Sequence, residues 1–166
     1  LNDKEVVMDG TIETLVRIAN TEFSGASLMG SAFLPCIKSM SLEEVKRTDT
    51  FEGYSVLGIT LHVLYHKYAT IRLIQGSQGI PSYKYEEADW PKPPKSLGQA
   101  SWDSLVSELG TMHEAWIKAL KAFPMSRYEE LVPAWNCTVG QVLECIACHD
   151  MYHVAQIRNM GLQSTR

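Results

Sequence analysis

Residues 138–161, TVGQVLECIACHDMYHVAQIRNMG, carry an apolar stripe that is interrupted in the middle. Val142 and Ile146 open the stripe and Met160 closes it, at the heptad-like spacing of a helix laid on a core. The positions that continue it between those ends are His149, His153 and Gln156. Polar groups buried without partners cost about 1–3 kcal/mol each, so these side chains need partners inside the protein. A bound metal would supply one. The start of the segment is also marked, because Thr138 and Gln141 are spaced as a capping box.

A second segment, YSVLGITLHVLYHKYATIRLIQ at 54–75, breaks in the same way: Ile59, then His62 and His66, then Ala69 and Leu73. Imidazoles at i and i+4 lie on one helix face within reach of a single ion. Two facing helices can thus bring three or four histidine nitrogens together. Three neutral imidazoles with positions left for water or substrate describe a catalytic-type site for zinc, nickel or another first-row metal.

The stretch CIACHDMYH at 145–153 allows other spellings. C-x-x-C-H would attach haem covalently, but that chemistry needs an exported chain, and no leader with a basic start, apolar run and small-residue cleavage site is visible. It would also leave His62, His153 and Gln156 unexplained. A thioredoxin-like C-x-x-C needs a βαβ setting, which the periodicity here does not provide. Cys145 and Cys148 are therefore expected as small buried residues in mid-helix, with Cys148 singled out by its place beside His149. H-D-x-x-H differs from the zincin H-E-x-x-H by the shorter Asp150, so peptidase chemistry is a poor match.

Apolar spacing of three and four dominates elsewhere too, and the expected fold is all-α, a four-helix bundle forming one domain over residues 1–166. The first helix is expected from about Asn2, with Asn2 and Glu5 spaced as a capping box, and with Met8, Ile12, Leu15 and Ala19 on one face. Ser41 and Glu44 form another capping-box spelling. The helix of 54–75 should stop at Gly76. A third long helix follows Ser101, with Trp102, Leu105, Leu109, Met112, Trp116 and Leu120 in a stripe that Pro124 ends. Between the second and third lies GSQGIPSYKYEEADWPKPPKSLGQ. A connection this long is uncommon in a compact domain without a purpose. Extended, it spans about 80 Å at ~3.3 Å per residue, enough to leave its two helices parallel. Its aromatics Tyr83, Tyr85 and Trp90 predict that it packs down on them.

A formal charge of -4 argues against nucleic-acid binding, which needs a basic face. The most apolar stretch holds two His, a Lys and an Arg and makes no comfortable membrane span. Four cysteines, three of them within residues 137–148, do not make a disulfide scaffold, so a reducing cytoplasm is expected. The chain opens at Leu1 rather than Met, so a native N-terminus ahead of Leu1 is allowed for.

Residues 54–76, the lead-in FSGASLMGSAFLPCIKSMSLEEV and above all CTVGQVLECIACHDMYHVAQIRNM resemble the DinB/YfiT-like family of metal-binding four-helix bundles. Members carry one His in the second helix and H-x-x-x-H followed by Gln in the fourth. By position, the resemblance implies His62, His149 and His153 as metal ligands. It assigns no role to His66, which is left as a fourth ligand, a donor behind a ligand or a core residue. Gln156 is implied as a pocket residue that bonds a ligand imidazole or metal-bound water. Asp150 points about 100° around the helix from His149 and is expected at the pocket rim.

The resemblance further implies an up-down-down-up topology, a homodimer and a divalent ion, zinc or nickel first, then iron or manganese. Characterised relatives include metal-dependent thiol transferases, a mycothiol-dependent isomerase and hydrolase-like enzymes. The implied reading is an enzyme acting on a small-molecule substrate, as a thiol transferase using a low-molecular-weight thiol or as a hydrolase. The alternative is a metal-stabilised binding or regulatory module without turnover, and the plainest reading is a hydrogen-bonded histidine network. No catalytic base stands out: Asp150, Glu144 and Glu114 are candidates only by charge. Tyr65, Tyr68 and Trp90 are candidates to line the pocket, and His113 is expected partly exposed or at the core edge.

Overall fold

The computed structural model describes residues 3–76 and 78–165, with side chains described over residues 10–76 and 78–164. The capping box expected at Asn2 and Glu5 and the core contact expected of Met8 lie outside the described residues and side chains. The first helix, α1 (Asp3–Ser24), buries Ile12, Leu15, Ala19 and Phe23 at the predicted spacing. Two short helices follow, α2 (Phe33–Lys38) and α3 (Leu42–Lys46). At α3 the Ser41 hydroxyl accepts from Glu44 N while the Glu44 carboxylate accepts from Ser41 N, the reciprocal bonds of a capping box.

Helix α4 (Val56–Gln75) is capped by the Ser55 hydroxyl on Gly58 N and stops at Gly76, whose φ of 70° suits a residue without Cβ. Helix α5 (Gln99–Lys121) starts before Ser101, from Gly98 without a side-chain cap, and ends ahead of Pro124. Helix α6 (Val139–Asn159) begins at the Thr138–Gln141 capping box. Just before it, β1 (Leu131–Val132) pairs antiparallel with β2 (Cys137–Thr138), the only strand pair among the described residues. Two-residue strands are too short to show alternation, so the sequence pattern carries no trace of them.

Helix α4 packs on α5 and α6, and α1 packs on the same two, so the core is shared by all four long helices. Trp116, Leu109, Ile59 and Leu143 are fully buried there, each contributing about 1.5–3 kcal/mol by leaving water. No helix among the described residues is long and apolar enough to cross a membrane.

The connection between α4 and α5, described over residues 78–98, lies down on the helices. Tyr83 stacks on Tyr68 of α4 at 4.4 Å, and the Tyr85 hydroxyl donates to Glu108 of α5 at 3.1 Å. Trp90 stacks on Tyr54 at 3.5 Å. These contacts carry Asp89 and Trp90 to the face of α4 that holds His62 and His66.

Gly140, in the first turn of α6, is packed closely against Tyr128. A Cβ there would come within 2.3 Å of the Tyr128 ring. Helix propensity alone favours Ala over Gly by about 1 kcal/mol, yet the clash predicts that Gly140→Ala destabilises the protein by about 1–3 kcal/mol. Urea denaturation measures this, and a stabilised variant would refute the packing argument.

Candidate metal centre

Three imidazoles from two helices converge on one point. His149 and His153 stand one turn apart on α6, and His62 comes from α4. His62 Nε2 lies 3.1 Å from His149 Nε2, which lies 3.1 Å from His153 Nε2. His62 and His153 are buried and His149 is half-buried. Nitrogens about 2.0–2.1 Å from a common ion at near-tetrahedral angles are roughly 3.3 Å apart. The three therefore form a group that could hold a metal ion.

The ring atoms facing away from this point fix the tautomers. His62 Nδ1 lies 2.6 Å from the Asp89 backbone oxygen, and His153 Nδ1 lies 2.6 Å from Gln156 Oε1. Both oxygens only accept, so Nδ1 carries the proton in each ring and the Nε2 lone pair points inward. Trp90 stacks on His62 at 3.9 Å and fixes its plane.

Burial sets the charge state. It pushes His62 down to about 4, against the opposing pull of the bond to Asp89. Burial and the neighbouring His62 push His153 down to about 4. Burial, followed by His153, His66 and His62, pushes His149 well below the usual imidazole range. All three are neutral at pH 7, the form in which imidazole binds metal.

His66 turns aside from the group. Its Nε2 lies 2.7 Å from Asp89 Oδ1; His66 is half-buried beside His62 and His149, and Asp89 is exposed. With His62 they make a second cluster of metal-ligand types. Asp89 was not picked out from the sequence. It is 27 residues from His62, and the only local signal was its place beside Trp90 in a connection too long to be idle.

Other expected residues stand elsewhere. Asp150 is not at the rim: it is 1% exposed and bonded to Lys67 Nζ at 2.7 Å, because the 100° step from His149 turns it into the core. Burial pushes the Lys67 amine down and the Asp150 carboxyl up, each opposed by the partner's charge. Glu144 accepts from the Tyr128 hydroxyl at 2.6 Å and Glu114 is exposed on α5, so neither lines the site. His113, expected partly exposed or at the core edge, is buried against Phe23 at 3.8 Å and bonded to Asn20. Tyr65 and Tyr68 pack on Tyr83, whereas Trp90 does line the site.

Cys145 and Cys148, expected buried, are exposed. They share the open side of α6 with His149, where two clefts meet. One, of about 400 Å³, is walled by Tyr54, Trp90, Tyr152 and both cysteines, with His62, His149 and His153 at its base. The other, of about 530 Å³, holds Asp89, His66, Trp135 and Gln141 and reaches His149 from the far side.

The depressed imidazoles predict a pH dependence in the metal-free protein. An unfolded histidine takes up its proton near pH 6.5, while folded His62 and His153 do so only near 4. The unfolded chain thus binds more protons in that window. Stability is fully present above about pH 6.5 and falls toward pH 4 by about 1.4 kcal/mol per pH unit for each such imidazole. Thermal melts of chelator-treated protein test this, and a flat midpoint from pH 7 to pH 4.5 would contradict the buried neutral state.

The DinB superfamily model matches residues 27–157, which takes in α2 through nearly all of α6 and every histidine of the centre. No curated protein and no solved structure matches the chain. With helices, centre and match in agreement over most of its length, the chain belongs to the DinB superfamily.

Proposed function

We propose that this protein is a metal-dependent enzyme acting on a small-molecule substrate, with one divalent ion held by His62, His149 and His153. The observation that carries the reading is the convergence of three inward-pointing Nε2 atoms at the base of a cleft, with His66 held away from them by Asp89. Three protein ligands beneath an open cleft are the arrangement of catalytic sites, whereas structural sites are closed by a fourth. The diversion of His66 thus favours turnover over the alternative of a metal-stabilised binding or regulatory module.

Neutral nitrogen donors suit zinc or nickel, with iron or manganese next. When bound, such an ion supplies Lewis acidity, which favours the deprotonated, nucleophilic form of a water or thiol near neutral pH. The chain's own residues prepare for this. Asp89 O and Gln156 Oε1 orient two ligand rings, while Trp90 and Tyr54 line the cleft above them. Thiol transfer, with a low-molecular-weight thiol as co-substrate, and hydrolysis are the reaction classes this supports.

Family membership supports the finer points of the reading: an up-down-down-up order of the long helices within one domain, and a homodimer. The length of the α4–α5 connection also supports that order. Few, clustered cysteines support a reducing cytoplasm as its setting.

Elemental analysis of the purified, untagged protein tests the centre. About one zinc, nickel or iron per chain is expected, and loss of it in His149→Ala. No metal after incubation with divalent ions would leave a buried histidine network and overturn the proposal. Gln156→Ala is expected to lower zinc affinity by about 10- to 100-fold through the freed His153 ring, measured by competition with a chromogenic chelator.

A further inference from the structure

Behind the histidines, on the core side, lies an ion pair that the reading so far leaves without a task. Lys67 Nζ of α4 and Asp150 Oδ2 of α6 are 2.7 Å apart, and both side chains are 1% exposed. The ammonium sits 5.1 Å from the centre of the Phe23 ring of α1 and 4.9 Å from that of Trp116 of α5. One cation therefore touches all four long helices. Lys67 follows His66 directly and Asp150 follows His149 directly. The pair thus joins the two ligand-bearing helices at the level of the centre and on its opposite side.

Stability does not explain such a pair. Removing two charges from water costs about as much as their attraction returns, and well-packed apolar residues of similar volume do as well or better. This pair is not even fully satisfied: Asp150 Oδ1 and the nearby Trp116 Nε1 have no hydrogen-bond partner among the described residues. What an ion pair offers over an apolar contact is direction. A 2.7 Å bond holds only at one offset of α4 along α6, whereas facing methyl groups tolerate sliding. A metal centre needs that fixity, because ligand distances must hold to about ±0.2 Å and its nitrogens come from both helices.

We propose that Lys67 and Asp150 are positioning residues, whose buried bond sets the register of α4 on α6 and thereby the spacing of His62 from His149 and His153. The inference rests on the reading of those three histidines as metal ligands.

The test is the double variant Lys67→Met/Asp150→Leu, compared with the parent in three measurements: the melting midpoint of the zinc-free protein, zinc affinity by chelator competition, and the absorption spectrum of the cobalt(II)-loaded protein. The expected result is a midpoint equal to or above the parent's, zinc affinity lowered by about tenfold or more, and altered position or intensity of the cobalt bands. A merely structural pair would move the midpoint and leave the affinity of the folded variant alone. A folded variant with parental zinc affinity and cobalt spectrum overturns the inference while leaving the metal centre in place. A variant that does not fold also overturns it, since the pair would then hold the fold rather than the site. A parent that takes up neither zinc nor cobalt removes the metal reading itself, and the inference with it.

Discussion

Two hydrogen bonds, His62 Nδ1–H to the Asp89 carbonyl and His153 Nδ1–H to the Gln156 side chain, determine what the interior of this protein can do. A buried neutral imidazole has one donor and one acceptor nitrogen, and whichever partner it finds first decides where the other faces. Both rings spend the donor outward, on oxygens that can only accept. Their lone pairs are left pointing inward at His149 Nε2, so that three ring nitrogens face one point where an ion can bind. The long connection between α4 and α5 makes this possible, because the Asp89 carbonyl and the Trp90 ring are delivered together to His62 by the packing of Tyr83, Tyr85 and Trp90 on the helices.

The same layer of the core shows where stability has been given up. His113, Lys67 and Asp150 are buried in the core, and three polar atoms there, His113 Nδ1, Trp116 Nε1 and Asp150 Oδ1, find no hydrogen-bond partner among the described residues. Each such atom costs about 1–3 kcal/mol. Apolar residues at those positions would make a more stable core. Layers above and below, built from Leu, Ile, Val and Trp, offset the cost. A destabilised polar layer within an otherwise apolar core is the pattern expected where a site has been fitted into a fold.

Much of this was legible in the chain. Helix α6 and its cap followed from TVGQ and a period of three and four, α4 ended where Gly76 said it would, and the break in both apolar stripes singled out His62, His66, His149, His153 and Gln156. The errors share a cause. Asp150 was expected at the rim and Cys145 and Cys148 inside, and each is on the other side, because composition says what a residue prefers while helix rotation says where it points. Cysteine is small and usually buried, but at 145 and 148 it occupies the face next to His149, which the clefts keep open. Aspartate usually finds water, but at 150 it finds Lys67, a partner 83 residues away that no local spacing reveals.

Periodicity, capping spellings and the spacing of histidines are local properties, governed by a rise of about 1.5 Å and a turn of about 3.6 residues. The sequence by itself therefore determined the long helices and which of their faces carry imidazole. Whether those faces meet, and in what register, depends on contacts between residues far apart in the chain. Only the tertiary structure decided that three nitrogens converge, that His66 leaves them for Asp89, and that Lys67 and Asp150 close behind them. A hydrogen bond is specified to tenths of an ångström, and no spacing along the chain carries that information across a loop of the length found between α4 and α5.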